Sequence, residues 1–115
     1  MSSIILHKFL NYVYLGKLED VLRLFYTSNT LIRLNKDGIY LEPTSGKEAI
    51  KKALSAFKTI QYKVEDVIFN EEIISYKIYL ITKNLENQID FSEHIITNKW
   101  KNNKIYEHQH NIITH

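Results

Sequence analysis

The chain has 115 residues, with 15 basic and 13 acidic side chains, five histidines and no cysteine. That length fits one domain over residues 1–115, and a domain of this size hides roughly two-thirds of the surface its unfolded chain would expose. Disulfides, thiol catalysis and Cys-based zinc or iron–sulfur sites are excluded, and a formal charge of +2, evenly spread, argues against nucleic acid or an anionic membrane as partner.

Residues 1–10 carry only three consecutive apolar residues, Ile4 to Leu6, before His7 and Lys8 interrupt them. No stretch approaches the roughly 18 apolar residues of a membrane span, so a soluble, cytoplasmic protein is expected. Lysine outnumbers arginine thirteen to two, a bias expected of an AT-rich bacterial genome.

Leu6, Phe9, Leu10 and Val13 recur at helical spacing and predict a helix over Ser3–Tyr14, closed by Gly16. Leu18, Val21, Leu22 and Phe25 repeat the spacing over Lys17–Tyr26, with Glu19 and Asp20 at the positive end of the helix dipole. From Asn29 the period becomes two. Thr30–Leu34 and Gly38–Glu42 read as short strands around the turn Asn35-Lys-Asp-Gly38. Ser45-Gly-Lys-Glu48 is a capping box opening a third helix, whose face is Ala49, Ile50, Ala53, Leu54 and Phe57. Four long strands complete the chain: Ile60–Phe69, Ile73–Lys83, Gln88–Trp100 and Lys104–Thr114, the last two joined through Lys101-Asn-Asn103. The order predicts an α+β fold, a cone-shaped curved antiparallel sheet with three helices on its concave face.

Several segments resemble nuclear transport factor 2-like proteins: Gly16-Lys-Leu-Glu-Asp-Val-Leu-Arg-Leu-Phe25, Asn29-Thr-Leu-Ile32 and Ser45-Gly-Lys-Glu-Ala-Ile50. Asn103-Lys-Ile-Tyr-Glu-His108 resembles the last hairpin of their SnoaL-like polyketide cyclase branch. The resemblance implies a cone with a small-molecule pocket and a homodimer formed through the outer sheet face. The superfamily holds ketosteroid isomerases, cyclases, hydrolases and non-catalytic modules alike, so fold does not name the function. Steroid isomerisation needs a carboxylate base and an oxyanion hole of a tyrosine and a protonated aspartate. Matched to those positions, this chain has Arg33 for the base, Phe9 for the tyrosine and Ile96 for the aspartate, so that mechanism is not expected.

A three-residue loop in the last hairpin would set Trp100 opposite Lys104, Asn98 opposite Tyr106, Ile96 opposite His108 and His94 opposite His110. Side chains alternate along a strand, so His94, Asn98, His108 and His110 then share one face, and the family alignment turns that face toward the pocket. Three imidazoles there suit proton transfer near neutrality, with His108, His110 and His94 as candidate catalytic residues. His-x-His with a third histidine across the ladder also has metal-ligand spacing, but no carboxylate is secured beside it, and no metal or cofactor is expected. The competing structural role is polar lining satisfied by neighbours or water. Phe9, Tyr12, Arg33, Ile96, Asn98, Trp100 and Tyr106 are candidate ligand contacts. For Arg33 a surface pairing with Asp37 or Glu42 is the stronger reading, and the aromatic residues also suit plain core. Ile89, Phe91, Ile95, Ile105 and Ile113 form an apolar stripe on the opposite face, as a homodimer interface would require.

Two functions follow from different classes. One is a small-molecule-pocket protein with isomerase-, cyclase- or hydrolase-like acid–base chemistry on an apolar ligand. The other is a non-catalytic association module whose cone is filled by Phe9, Trp100 and their neighbours.

Overall fold

The computed structural model describes residues 1–45, 50–51 and 57–115, the side chains of Ser45 and Phe57 excepted. Helix α1, Ser3–Tyr14, starts where the Ser2 hydroxyl accepts the Ile5 N–H. It ends in a Schellman motif: Lys17 N–H reaches Tyr12 O and Gly16 N–H reaches Val13 O, both at 3.0 Å, with Gly16 at φ 71°. Helix α2, Leu18–Phe25, has Glu19 and Asp20 in its first turn. It passes without a loop into β1, Tyr26–Lys36, ending one residue short of the expected helix end at Tyr26. Tyr26 is therefore the first residue of a strand, not the last of a helix.

Six strands follow: β2 (Ile39–Tyr40), β3 (Thr44–Ser45), β4 (Phe57–Asn70), β5 (Ile73–Asn84), β6 (Ile89–Lys101) and β7 (Lys104–Thr114). They form one curved, unclosed sheet in the order β2-β1-β7-β6-β5-β4, with β3 paired to β1. The β4-to-β7 meander is antiparallel, as expected, whereas β1 lies parallel to β7, a long-range pairing that no local pattern encodes. Between Tyr26 and Leu31 that pairing slips, and the buried Thr30 hydroxyl donates to Ile105 O at 2.6 Å across the irregularity. Asp37 and Gly38 turn β1 into β2 with positive φ at both, the type I′ geometry that suits a strand pair. Of the expected third helix Ile50 and Lys51 are described as helical, and Ile50 packs half-buried against the core. Phe57, expected on its apolar face, is instead the first residue of β4, and Ser45, expected as its cap, is the last of β3. Residues 46–49 and 52–56, with the rest of the capping box and of the apolar face, lie outside the described residues.

Phe9 and Val13 of α1 and Val21, Leu22 and Phe25 of α2 meet Ile74, Tyr76, Trp100 and Ile105 of the sheet in one core. Phe9 is its hub, edge-to-face with Trp100 at 4.9 Å, Phe25 at 5.4 Å and Tyr76 at 6.0 Å between ring centroids. Neither α1 nor α2 is long and apolar enough to cross a membrane.

The last hairpin departs from the expected register. Its loop has two residues, Asn102 and Asn103, both with positive φ, and Lys101 pairs with Lys104. A bulge follows, because Trp100 pairs with Ile105 but Lys99 with Glu107, leaving Tyr106 without a partner. Beyond it Asn98 faces His108, Ile96 faces His110 and His94 faces Ile112. The shorter loop exchanges two neighbours, and the bulge restores the parity beyond them. Ile105, expected in the outer stripe, is fully buried in the core, and Tyr106, expected in the pocket, is 50% exposed.

Candidate functional site: a buried tyrosine–histidine chain

On the concave face the register places Tyr76 of β5, Ser92, His94, Ile96 and Asn98 of β6, and His108 and His110 of β7 on one side of the sheet. Tyr26 reaches them from the start of β1. These side chains form a continuous line of hydrogen bonds. The Tyr76 hydroxyl donates to Asn98 Oδ1 at 3.1 Å, and Asn98 Nδ2 donates to the Tyr26 hydroxyl oxygen at 3.1 Å. The Tyr26 hydroxyl lies 2.5 Å from His108 Nδ1, which is also 3.1 Å from Asn98 Nδ2. His108 Nε2 then meets His110 Nδ1 at 3.1 Å, His110 Nε2 meets His94 Nδ1 at 2.7 Å, and His94 Nε2 meets Ser92 Oγ at 2.9 Å.

Burial grades along this line. Asn98, Tyr26, Tyr76 and His108 are buried, while His110, His94 and Ser92 are half-buried. Loss of water disfavours every charged form here. It pushes His108 down to about 3 and His94 to about 4 from the usual imidazole value of 6.5. His110 is also held well below its usual value, first by burial and then by its two imidazole neighbours. The same burial pushes the Tyr26 and Tyr76 hydroxyls above the normal phenol range. All five rings are neutral at pH 7, so the expected histidine with a near-neutral pKa is not what burial produces.

The three imidazoles are joined head to tail, each ring nitrogen facing the next residue of the line. Among the described residues no group of His, Cys, Asp or Glu is arranged to hold a metal ion.

The other candidate contacts are dispersed. Phe9, Ile96 and Trp100 are buried in the core, and Tyr12 is half-buried beside Phe25, 6.4 Å between centroids. Arg33 is on the outer face, where its Nε donates to Glu107 Oε1 at 3.1 Å; Lys99 meets the other Glu107 oxygen at 2.9 Å. Its partner is thus Glu107, across the parallel pair, and not Asp37 or Glu42. Asp37 instead accepts from the backbone and hydroxyl of Thr114. Sequence reasoning missed Tyr26, Tyr76 and Ser92. Alternation along β5 and β6 carried a signal for Tyr76 and Ser92, which share the parity of the histidine face; Tyr26 had none, being hidden at the apparent end of a helix.

No protein-family model and no curated relative matches the sequence. The fold is nonetheless shared with solved structures, and the chain adopts the α+β cone of nuclear transport factor 2-like proteins. A protein of Mesorhizobium loti assigned as a SnoaL-like polyketide cyclase and, in the same name, a carbohydrate phosphatase superposes with a TM-score of 0.79 at 15% identity, over 96% of this chain and 98% of that one. A protein of Rhodopseudomonas palustris assigned as an isomerase gives 0.70 at 11% identity, over 97% and 91%. One from Streptomyces antibioticus assigned as a polyketide cyclase gives 0.66 at 12% identity, over 96% and 90%.

Proposed function

We propose that this is a cytoplasmic small-molecule-binding protein of the cyclase or isomerase kind, whose ligand lies against the outer end of the Tyr26–Ser92 chain on the concave face. The observation that carries the reading is the unbroken line of neutral hydrogen-bonding groups in a place where the fold otherwise buries apolar side chains. Neutral imidazoles of such low basicity are poor proton acceptors at pH 7. Their use is as fixed dipoles that stabilise charge developing on a ligand oxygen, an effect that grows as water is excluded. The acid–base chemistry expected from the histidines thereby becomes hydrogen-bond donation by His94, His108 and His110, acting in line. The assignments given to the fold's neighbours, cyclases and isomerases, are in keeping with chemistry at a carbonyl or enolate.

Titration with 1-tetralone and with tetralin, a ring ketone and its hydrocarbon counterpart, followed by thermal shift and by NMR of the concave-face methyl groups, tests this reading. Saturable shifts at Ile96 and Ile112 are expected with the ketone. A set of such bicyclic ketones that moves neither the melting temperature nor those methyl groups would sink it.

A second reading, the non-catalytic association module, is favoured by the filled floor of the cone, where Phe9, Trp100, Ile74 and Ile105 are fully buried. In either case we propose a homodimer through the outer sheet face, on which Ile89, Phe91 and Ile113 are exposed. Sedimentation of the parent and of Phe91→Asp tests that contact, with a dimer expected only for the parent.

A further inference from the structure

The line of hydrogen bonds has a direction, and one side chain decides it. Asn98 stands between Tyr76 and the Tyr26–His108 pair, with Oδ1 toward Tyr76 and Nδ2 toward Tyr26 and His108. An amide nitrogen only donates. The nitrogen of His108 that faces it, Nδ1, must therefore be the unprotonated one, and it accepts from the Tyr26 hydroxyl as well. His108 then carries its proton on Nε2 and donates to His110 Nδ1. His110 in turn donates from Nε2 to His94 Nδ1, and His94 from Nε2 to Ser92 Oγ. Every ring nitrogen of the three histidines has a partner of the opposite kind in this arrangement. Turning the Asn98 amide by half a rotation would present Oδ1 to His108, protonate Nδ1, and reverse all the later bonds.

We infer that Asn98 is a positioning residue that fixes the tautomers of His108, His110 and His94 together, so that the chain ends in a Ser92 hydroxyl free to donate to a hydrogen-bond acceptor on the ligand. Ser92 already accepts from His94 Nε2, so its own proton points away from the chain. The gradient of burial agrees with this polarity: the origin of the chain at Asn98, Tyr26 and Tyr76 is buried, and its end at His94 and Ser92 is only half so. The ligand class that fits is an apolar molecule with a carbonyl-type oxygen, an acceptor without a proton of its own. This ligand assignment rests on the small-molecule reading above, whereas the tautomer order stands on the geometry alone.

The test is ¹⁵N NMR of the full-length protein labelled at histidine, at pH 7.5, with tautomers read from the one- and two-bond couplings of the ring protons. In the parent, His94, His108 and His110 are all expected as the Nε2–H form. Any one of them in the Nδ1–H form, or in a mixture of the two, overturns the inference without need of a variant. In Asn98→Asp the carboxylate can only accept, and all three rings are expected to change to Nδ1–H. A change at His108 with His110 and His94 unmoved would show that Asn98 does not command the line, as would a variant that folds with no change at all. Ser92→Ala is expected to leave the tautomers as in the parent but to weaken binding of 1-tetralone at least tenfold while sparing tetralin. An equal loss for both compounds overturns the role of Ser92 as donor. If neither compound binds the parent while the tautomers are as expected, the ligand reading fails and the order of the chain stands.

Discussion

Acidification from pH 7.5 to 5.5 should destabilise this protein well before its carboxylates titrate. In the unfolded chain an imidazole has a pKa near 6.5, whereas burial holds His94 at about 4, His108 at about 3 and His110 well below the usual value. As pH falls the unfolded state takes up protons first, so the stability due to these three rings is complete above pH 6.5 and is lost progressively down toward their folded values. At pH 5.5 an unfolded imidazole is about nine-tenths protonated and a ring held at about 3 or 4 hardly at all, a difference of about 1 kcal/mol for each of His94 and His108. These two rings give about 2–3 kcal/mol, a sizeable share of the roughly 5–15 kcal/mol by which a domain is stable, and His110 acts in the same direction. At about 4 °C per kcal/mol the melting temperature should fall by about 10 °C. Asp37 and Glu107, whose carboxyls are held below their usual range by hydrogen bonds from Thr114 and Lys99, contribute only at lower pH. Calorimetry in buffers of matched ionic strength measures the fall, and ¹H–¹³C spectra of the ring Hε1 atoms follow each histidine. A drop of less than about 4 °C, about one ring's worth, or a midpoint near 6.5 for His108 in the folded protein, would mean that the three rings are not held neutral by burial.

Four substitutions test the local arguments by urea unfolding. Tyr26→Phe removes the hydroxyl that lies between Asn98 and His108 and should cost about 1–3 kcal/mol, the penalty for buried groups left unpaired. Gly16→Ala forces a left-handed conformation at φ 71° and sets a methyl group 3.4 Å from the Tyr62 ring, for a loss of about 1–2 kcal/mol. Asn103→Gly relaxes the second position of the type I′ turn and should raise stability by about 0.5 kcal/mol. Glu107→Gln breaks the ion pairs to Arg33 and Lys99 at the outer face, yet should cost less than about 1 kcal/mol because both cations keep contact with water.

What could be read in the sequence, and what could not, divides along the range of the interactions. Helix α1 occupies the very span its apolar spacing and Gly16 predict, because spacing, cap and terminator are all local. The parallel pairing of β1 with β7 joins residues some eighty positions apart and leaves no periodic trace, and with it went Tyr26. The last hairpin is more instructive. Expecting three loop residues where there are two shifted the register by one, which put Ile105 and Tyr106 on each other's faces. The bulge at Tyr106 then added a second one-residue shift. Two such shifts restore the parity, so His94, Asn98, His108 and His110 share a face as expected although each faces a different partner. The histidine cluster was thus legible through alternation alone, and its wiring was not, since wiring depends on which residues lie opposite.

The wiring in turn bears on why the chain is there at all. Buried polar groups add little net stability even when fully paired, and apolar side chains of similar volume in the same places would hold the sheet at least as well. Losing one member is costly, because its neighbours stay buried without partners; losing all of them together is not. That asymmetry predicts strong coupling between Asn98 and His108. In a double-mutant cycle, Asn98→Leu with His108→Leu should cost less than the two single changes added, by at least about 1 kcal/mol. An additive cycle would mean that each residue is satisfied independently of the other, and the polarity of the chain would have no physical basis. Strong coupling would leave a line of groups that stabilises nothing as a whole but holds each of its members in one orientation, which is what a site needs and a core does not.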